Sequence, residues 1–238
     1  PQAADVVGRL VQSLGLGERS WTASASELVD ADTLAKTRVI ITAGGDGTIL
    51  RVARQAGPHS VPILGINMGR VGFMTELTVD EAGEKIPAYL DGSPRVESRM
   101  MLQASVTSGP GSEPGQAVHA LNDVVVGRGP VARLLDLYVN VDGAPLATYR
   151  ADGVIVSTAT GSTGYALAAG GPILYPEARV MLVQPVAPHI SLQTGIVVSE
   201  ESVVEIGVSG GREATLSEDA ISDTTLSQGD RVVVRRSP

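Results

Sequence analysis

The run Val39-Ile40-Ile41-Thr42 leads into Ala43-Gly44-Gly45-Asp46-Gly47-Thr48, and the residues from Thr48 to Ala56 carry apolar side chains at helical spacing. A β-branched strand, a glycine cluster and a helix in that order commit this part of the chain to an α/β arrangement. Glycine lets a ligand approach the main chain closely. A helix that opens directly after such a loop offers unpaired N–H groups to a phosphate. Asp46 stands among the glycines, and a bare phosphate cradle gains nothing from that negative charge. A phosphoryl-transfer site does, because a carboxylate there can hold a metal ion or accept a proton. The pattern places Asp46 in the middle of an exposed loop, with the helix starting at Thr48.

Further elements extend this unit. Val6, Val7, Leu10, Val11 and Leu14 have helical spacing, with Gly15 or Gly17 as the stop. Val61 to Ile66 reads as a second parallel strand, which completes a βαβ unit. The loops that follow Thr42 and Ile66 are then expected side by side, where open α/β sheets bind ligands. The second of these, Asn67-Met68-Gly69-Arg70-Val71-Gly72-Phe73, adds glycines and an arginine to the same rim. Thr78-Val79-Asp80-Glu81 matches a capping box for a helix running to about Leu90.

Beyond Glu97 the pattern changes to strands separated by turns. Runs near 99–107, 118–126, 134–141, 144–149, 154–157, 180–184, 196–199, 203–208 and 231–235 are strand-like, and Asp142-Gly143 marks a hairpin. The expectation is an α/β domain with a parallel sheet over residues 1–97 and a mainly β domain over 98–238. Aromatic residues make up only 3% of the chain, so Val, Ile, Leu and Ala must fill both cores.

Composition narrows the function. A net charge of −8 argues against non-specific binding to nucleic acid or an anionic membrane, so an anionic ligand must be held by local arginines and backbone N–H groups. With no cysteine, disulfides and thiolate metal sites are excluded. The three histidines, His59, His119 and His189, are scattered and imply no metal site. No apolar run reaches the ~20 residues of a membrane span. No signal peptide is visible, which makes the cytoplasm the default.

Two stretches of the second domain carry chemistry. Thr158-Ala159-Thr160-Gly161-Ser162-Thr163-Gly164-Tyr165 follows the strand Val154 to Ser157. A helix cap needs one hydroxyl, and this stretch has several, which favours polar contacts to a ligand. Tyr165 can stack on a base or belong to the core. Asn122-Asp123 interrupts an apolar strand; the pair can bind a ribose diol or an adenine edge, or simply mark a bulge. Gly127-Arg128-Gly129-Pro130-Val131-Ala132 has a dinucleotide-loop spacing, but a strand follows it rather than a helix.

Together these pieces resemble the NAD kinase family. The resemblance is carried by Gly44-Gly45-Asp46-Gly47-Thr48, the stretch from Leu64 to Phe73, Asn122-Asp123, Ala151-Asp152-Gly153, and Thr160-Gly161-Ser162-Thr163-Gly164-Tyr165 with Gly170-Gly171-Pro172. It implies phosphorylation of NAD to NADP with ATP or inorganic polyphosphate as donor, a divalent cation such as Mg2+, and a homodimer or homotetramer. It assigns Asp46 as acceptor of the proton from the adenosine 2′-hydroxyl. Gly45, Gly47, Thr48, Arg51, Phe73, Asn122, Asp123, Arg133, Arg150, Asp152, Thr160, Thr163, Gly164, Tyr165, Ala166, Leu167, Ala168 and Ala187 are its implied nucleotide contacts. One departure stands out: where the family has an Asp-Gly pair near the C-terminus, this sequence has Glu218-Asp219-Ala220-Ile221.

Two rival readings remain in view. Lipid kinases of the diacylglycerol and sphingosine type share the Gly-Gly-Asp-Gly-Thr element, but the acidic charge and the lack of an amphipathic membrane face weigh against them. A non-catalytic nucleotide sensor on the same fold has no need of an intact Asp46.

Overall fold

The structure, a computed structural model, describes residues 2–69, 72–109, 112–129, 133–189 and 191–238. It comprises two compact units, Pro1–Glu97 and Ser98–Pro238. Arg70 and Val71 of the second glycine-rich loop, and Pro130 to Ala132, lie outside the described residues.

The first unit is a three-stranded parallel sheet with helices. α1 spans Gln2–Ser13, α2 Ala31–Lys36, β1 Ile40–Gly44, α3 Asp46–Ala56, β2 Ile63–Asn67, β3 Leu77–Thr78 and α4 Val79–Asp91. The strand order is β1-β2-β3. Leu10 and Leu14 at the end of α1 join Ala82 and Ile86 of α4 in one cluster with Ile41, Leu64, Ile66 and Leu77. The helix α3 buries Ile49, Ala53 and Ala56. It presses so closely on β2 that a Cβ on Gly65 would lie 2.7 Å from Ile49 Cδ1. The capping box of α4 forms as its sequence predicts: Glu81 accepts from the Thr78 N–H at 3.0 Å and also pairs with Lys85. That lysine, with the Thr78 bonds, holds the Glu81 carboxyl down at about 2. The irregular stretch ahead of α2 is tied in place by side chains. Trp21 Nε1 donates to Thr37 Oγ1 at 2.9 Å, and Gln55 bonds the backbone of Glu27 and Val29.

The second unit holds two six-stranded antiparallel sheets. Its strands are β4 Leu102–Ser108, β5 Val118–Ala120, β6 Asp123–Arg128, β7 Leu135–Val141, β8 Ala144–Ala151, β9 Gly153–Thr158, β10 Val180–Val186, β11 Ile196–Ser199, β12 Val204–Val208, β13 Ala214–Glu218, β14 Ser222–Leu226 and β15 Asp230–Arg236. One sheet runs β11-β10-β9-β6-β13-β14, the other β5-β4-β15-β12-β7-β8. Alternate residues of both sheets share a single core, with Val124, Val126, Val154 and Val156 from one and Leu137, Val139, Ile206 and Val232 from the other. The central strand β9 is buried along its whole length. Its opposite face packs Ile155 against Leu182 and against Ala166 of the short helix α5, Tyr165–Ala168. That double cover is why Val154-Ile155-Val156 is a continuous apolar run rather than an alternating one.

The hairpin at Asp142-Gly143 forms as expected, with φ of +53° and +78° at the two turn residues. Several elements differ from the sequence reading, among them α2, which it did not foresee. The expected strand over 118–126 is two strands, β5 and β6, broken at Leu121-Asn122. The hairpin β13–β14 has no counterpart in the sequence reading, and neither has β3. Ala214 and Leu216 alternate with Thr215 and Ser217, but the stretch is short and hydroxyl-rich, and no glycine marks its turn. The turn nevertheless places Asp219 and Ala220 at φ of +50° and +53°, conformations that glycine or asparagine adopts far more readily than alanine.

Candidate nucleotide and phosphoryl-transfer site

In the first unit the ends of β1 and β2 lie side by side, as their sequence predicts. Gly44 is in register with Asn67, and the Met68 N–H donates to the Gly44 carbonyl at 3.0 Å. The helix α3 begins at Asp46, two residues earlier than its apolar pattern suggests, with Gly45 as an N-cap that carries no side chain. Asp46 is thus a first-turn helical residue, not the middle of a loop, and it is half-buried rather than exposed. The early start follows from the Gly45 carbonyl, which accepts from both Thr48 and Ile49.

The Asp46 carboxylate is seated by the second loop. It accepts the Phe73 N–H at 2.9 Å and the Met74 N–H at 3.2 Å. Gly72 completes the seat: a Cβ there would lie 2.2 to 2.5 Å from the carboxylate atoms. Gly44 is needed for a like reason, since a Cβ would meet the Thr48 hydroxyl oxygen at 2.1 Å. Gly45, Gly47 and Arg51 are exposed around this point, Thr48 is half-buried, and the Phe73 ring is 73% exposed. A bulky aromatic left that open beside a polar site is available for stacking on a flat ligand.

In the second unit the structure brings Asn122 and Asp123 against the Thr160–Gly164 turn. The turn sits so close that a Cβ on Gly161 would lie 2.1 Å from the Asn122 carbonyl oxygen. A Cβ on Gly164 would come within 4.0 Å of both the Asn122 amide nitrogen and the Asp123 carboxylate. The Asn122 Oδ1 atom is buried and has no hydrogen-bond partner among the described residues. Such an acceptor carries a desolvation penalty of roughly 1–3 kcal/mol until a donor reaches it. Asp123 is buried; burial, reinforced by the charge of Asp219, pushes its carboxyl up to about 7.

The hydroxyls of the same turn behave differently from the sequence reading, which gave them to a ligand. Ser162 is fully buried and donates to the Ala159 carbonyl while accepting the Leu174 N–H. Thr158 donates to the Leu121 carbonyl and accepts the Gly161 N–H. Thr163 donates to the Thr160 carbonyl, and Arg99 reaches the Thr160 hydroxyl at 3.3 Å. Most of this hydroxyl content therefore builds the turn. Tyr165 is 48% exposed, so it is not a core residue, and Leu167 and Ala168 are exposed beside it. Ala166 points the other way, fully buried against Ile155 and Leu182.

A second group forms around Asp152. Its carboxylate pairs with Arg128 Nε at 2.9 Å, and its N–H donates to the Val186 carbonyl. The Arg150 carbonyl accepts the His189 N–H at 2.8 Å, which draws Ala187 in, at a left-handed φ of +45°. Arg128, Asp152 and Tyr165 line a groove of about 320 Å3 together with Ser217 and Asp223. Arg150 and Ala187 are exposed, and Arg133 is exposed ahead of β7. Sequence reasoning did not single out Arg128 or Asp219. The first had a signal, an arginine between two glycines at a strand end; the second had only its departure from a familial Asp-Gly pair.

No three metal-ligating side chains stand together among the described residues. A nucleotide-bound Mg2+ does not require that, since it takes one or two carboxylates plus substrate phosphates. Asp46 fits that demand: it is half-buried, and each of its oxygens accepts one backbone N–H, while a carboxylate oxygen can accept more than one bond.

Comparison with known proteins bears on this geometry. Residues 12–93 match the sequence family described as the ATP-NAD kinase N-terminal domain, and residues 121–238 the ATP-NAD kinase C-terminal domain. An NAD kinase of Dehalococcoides mccartyi is 40% identical over 242 residues, covering 100% of this chain and 84% of that protein. One of Cupriavidus pinatubonensis is 42% identical, covering 98% of this chain and 74% of that protein. Among solved structures, yeast NADH kinase complexed with NADH superposes with a TM-score of 0.80 at 30% identity, over 87% of this chain and 60% of that one. An NAD kinase from Archaeoglobus fulgidus in complex with ATP gives a TM-score of 0.75 at 29% identity, over 97% of this chain and 86% of that one.

Proposed function

Because the chain belongs to the NAD kinase family, we propose that it transfers the γ-phosphoryl group of ATP to the adenosine 2′-hydroxyl of NAD, with Asp46 as the catalytic base. The observation that carries the assignment of Asp46 is its seat on the Phe73 and Met74 N–H groups, which fixes a carboxylate within the glycine motif at the start of α3.

A ribose hydroxyl is a poor nucleophile at neutral pH. Asp46 accepts its proton as the 2′-oxygen bonds to the γ-phosphorus; the bond from that phosphorus to the β,γ-bridging oxygen breaks, and ADP leaves. The two backbone donors hold the carboxylate in one orientation and leave its remaining lone pairs for the hydroxyl and a cation. Asp46 would be the residue to hold a divalent cation, which would supply charge neutralisation for the phosphates. Gly45, Gly47 and Thr48 bring main chain to the phosphates, Arg51 adds positive charge, and the Phe73 ring stacks on a flat portion of the substrate.

In the second unit Asn122 and Asp123 grip the nucleoside. The orphaned Asn122 oxygen accepts from a ligand N–H or O–H, and Asp123, when protonated, can donate as well as accept. Thr160, Thr163, Gly164, Tyr165, Leu167 and Ala168 line the dinucleotide, with Ala166 contributing through its backbone. Arg133, Arg150, Asp152 and Ala187 contact the rest of it. Mg2+ as the cation, a homo-oligomeric state and a cytoplasmic setting belong to the same proposal and rest on the family likeness.

The test is direct. Protein, NAD, ATP and Mg2+ are incubated, and NADP is measured with an NADP-specific dehydrogenase alongside ADP. Equal amounts of both products are expected, with no phosphorylated lipid when diacylglycerol replaces NAD. An arm with inorganic polyphosphate defines the donor range. Phosphorylation of the lipid without formation of NADP would overturn the reading.

A further inference from the structure

The break between β5 and β6 leaves three consecutive backbone N–H groups, those of Leu121, Asn122 and Asp123, to find partners, and one side chain takes all three. Asp219 Oδ2 accepts the Leu121 N–H at 2.8 Å, and Oδ1 accepts the Asn122 N–H at 2.8 Å and the Asp123 N–H at 3.2 Å. In return the Asp219 N–H donates to the Asp123 carbonyl at 3.0 Å. Asp219 is buried and reaches this position through two successive left-handed residues of the β13–β14 turn. Charge-assisted bonds of this kind are stronger and shorter than neutral ones.

A purely structural staple would serve any chain break. Here the segment it holds bears the Asn122 side chain, whose oxygen is buried without a partner among the described residues, and the Asp123 carboxylate, whose burial is costly. Groups that expensive are useful only in a fixed orientation. We propose that Asp219 is a positioning residue of the nucleotide grip: by holding these three N–H groups, it sets the orientation in which Asn122 and Asp123 meet NAD. Asp219 acts through the backbone and not by touching substrate. The inference rests on the reading of Asn122 and Asp123 as NAD contacts.

Two variants of the full chain test it. Asn tolerates the left-handed backbone and keeps one acceptor oxygen; Gly tolerates it and keeps none. Steady-state rates are measured with NAD and ATP varied separately, beside a urea midpoint and a circular dichroism spectrum for each variant. Asp219→Asn is expected to raise the KM for NAD roughly tenfold and Asp219→Gly more, with the KM for ATP within about twofold of wild type. A lowered midpoint with an unchanged KM for NAD would reduce Asp219 to a staple and overturn the proposal. So would an equal rise in both KM values. Asn122→Ala separates the two levels. If it raises the KM for NAD while the Asp219 variants do not, only the positioning role falls. If it has no effect, the reading of the pair as NAD contacts falls, and the proposal with it. Should Asp219→Gly fail to fold, Asp219→Asn alone decides.

Discussion

Asp46 shows how one side chain can serve structure and chemistry together. Its two oxygens accept two backbone N–H groups of the neighbouring loop. Asn offers only one oxygen there and turns an NH2 group toward the other donor. Asp46→Asn is therefore expected to lose about 1–2 kcal/mol of stability, where an exposed loop position would lose almost nothing. Its kcat is expected to fall by at least about a hundred-fold, because an amide cannot take the hydroxyl proton. A urea titration and saturating kinetics on the same preparation check both, and turnover near wild type would remove Asp46 as the base. Asp123 makes a prediction of opposite character. Its folded-state value of about 7 lies above the usual 3.8, so the native state keeps a proton that the unfolded chain has lost. Stability then falls as pH rises from about 4 to about 7 and levels off above, an effect on the order of 4 kcal/mol at most. Asp123→Asn, always neutral, removes that slope and is the more stable protein at pH 8. Parallel stability–pH curves for the two proteins would refute the argument.

At the scale of elements, legibility followed the periodicity of burial. The βαβ unit, the capping box at Thr78 and the Asp142-Gly143 hairpin were readable because each has a local cause: apolar spacing, a reciprocal side-chain bond, a glycine at positive φ. The start of α3 was less so, since Asp46 and Gly47 are weak helix formers that tertiary seating nonetheless holds in helical geometry. The hydroxyls after β9 were only partly legible, because a sequence shows their number but not that Ser162 and Thr158 bond within the turn itself. The contribution of Asp219 was hidden for a different reason: its partners lie nearly a hundred positions away, and no spacing rule connects them. The β13–β14 hairpin was invisible because its turn lacks the glycine that its geometry favours. That gives a prediction. Ala220 is exposed at φ +53°, so Ala220→Gly removes backbone strain and no packing. Allowing for the extra freedom glycine gives the unfolded chain, a net gain of roughly 0.5–1 kcal/mol is expected. Denaturant midpoints measure it, and a loss of stability would show that the turn is not strained.

For the whole molecule, the two units divide the labour along lines of fold. Each unit contributes exposed arginines to the residues assigned to nucleotide, Arg51 in the first and Arg133 and Arg150 in the second. The pinning of Trp21 to Thr37 carries an experimental consequence. No other tryptophan exists in the chain, so indole fluorescence reports the first unit alone, from a ring whose N–H bond to the end of α2 breaks when that unit melts. Tyrosine difference absorbance, by contrast, comes mainly from the second unit, which holds Tyr138, Tyr149, Tyr165 and Tyr175 of the five tyrosines in the chain. Unfolding followed by both signals resolves two parts of an unlabelled chain. Ala220→Gly is expected to displace the tyrosine-absorbance midpoint and leave the emission midpoint in place, and equal displacement of both would mean that the two units melt as one.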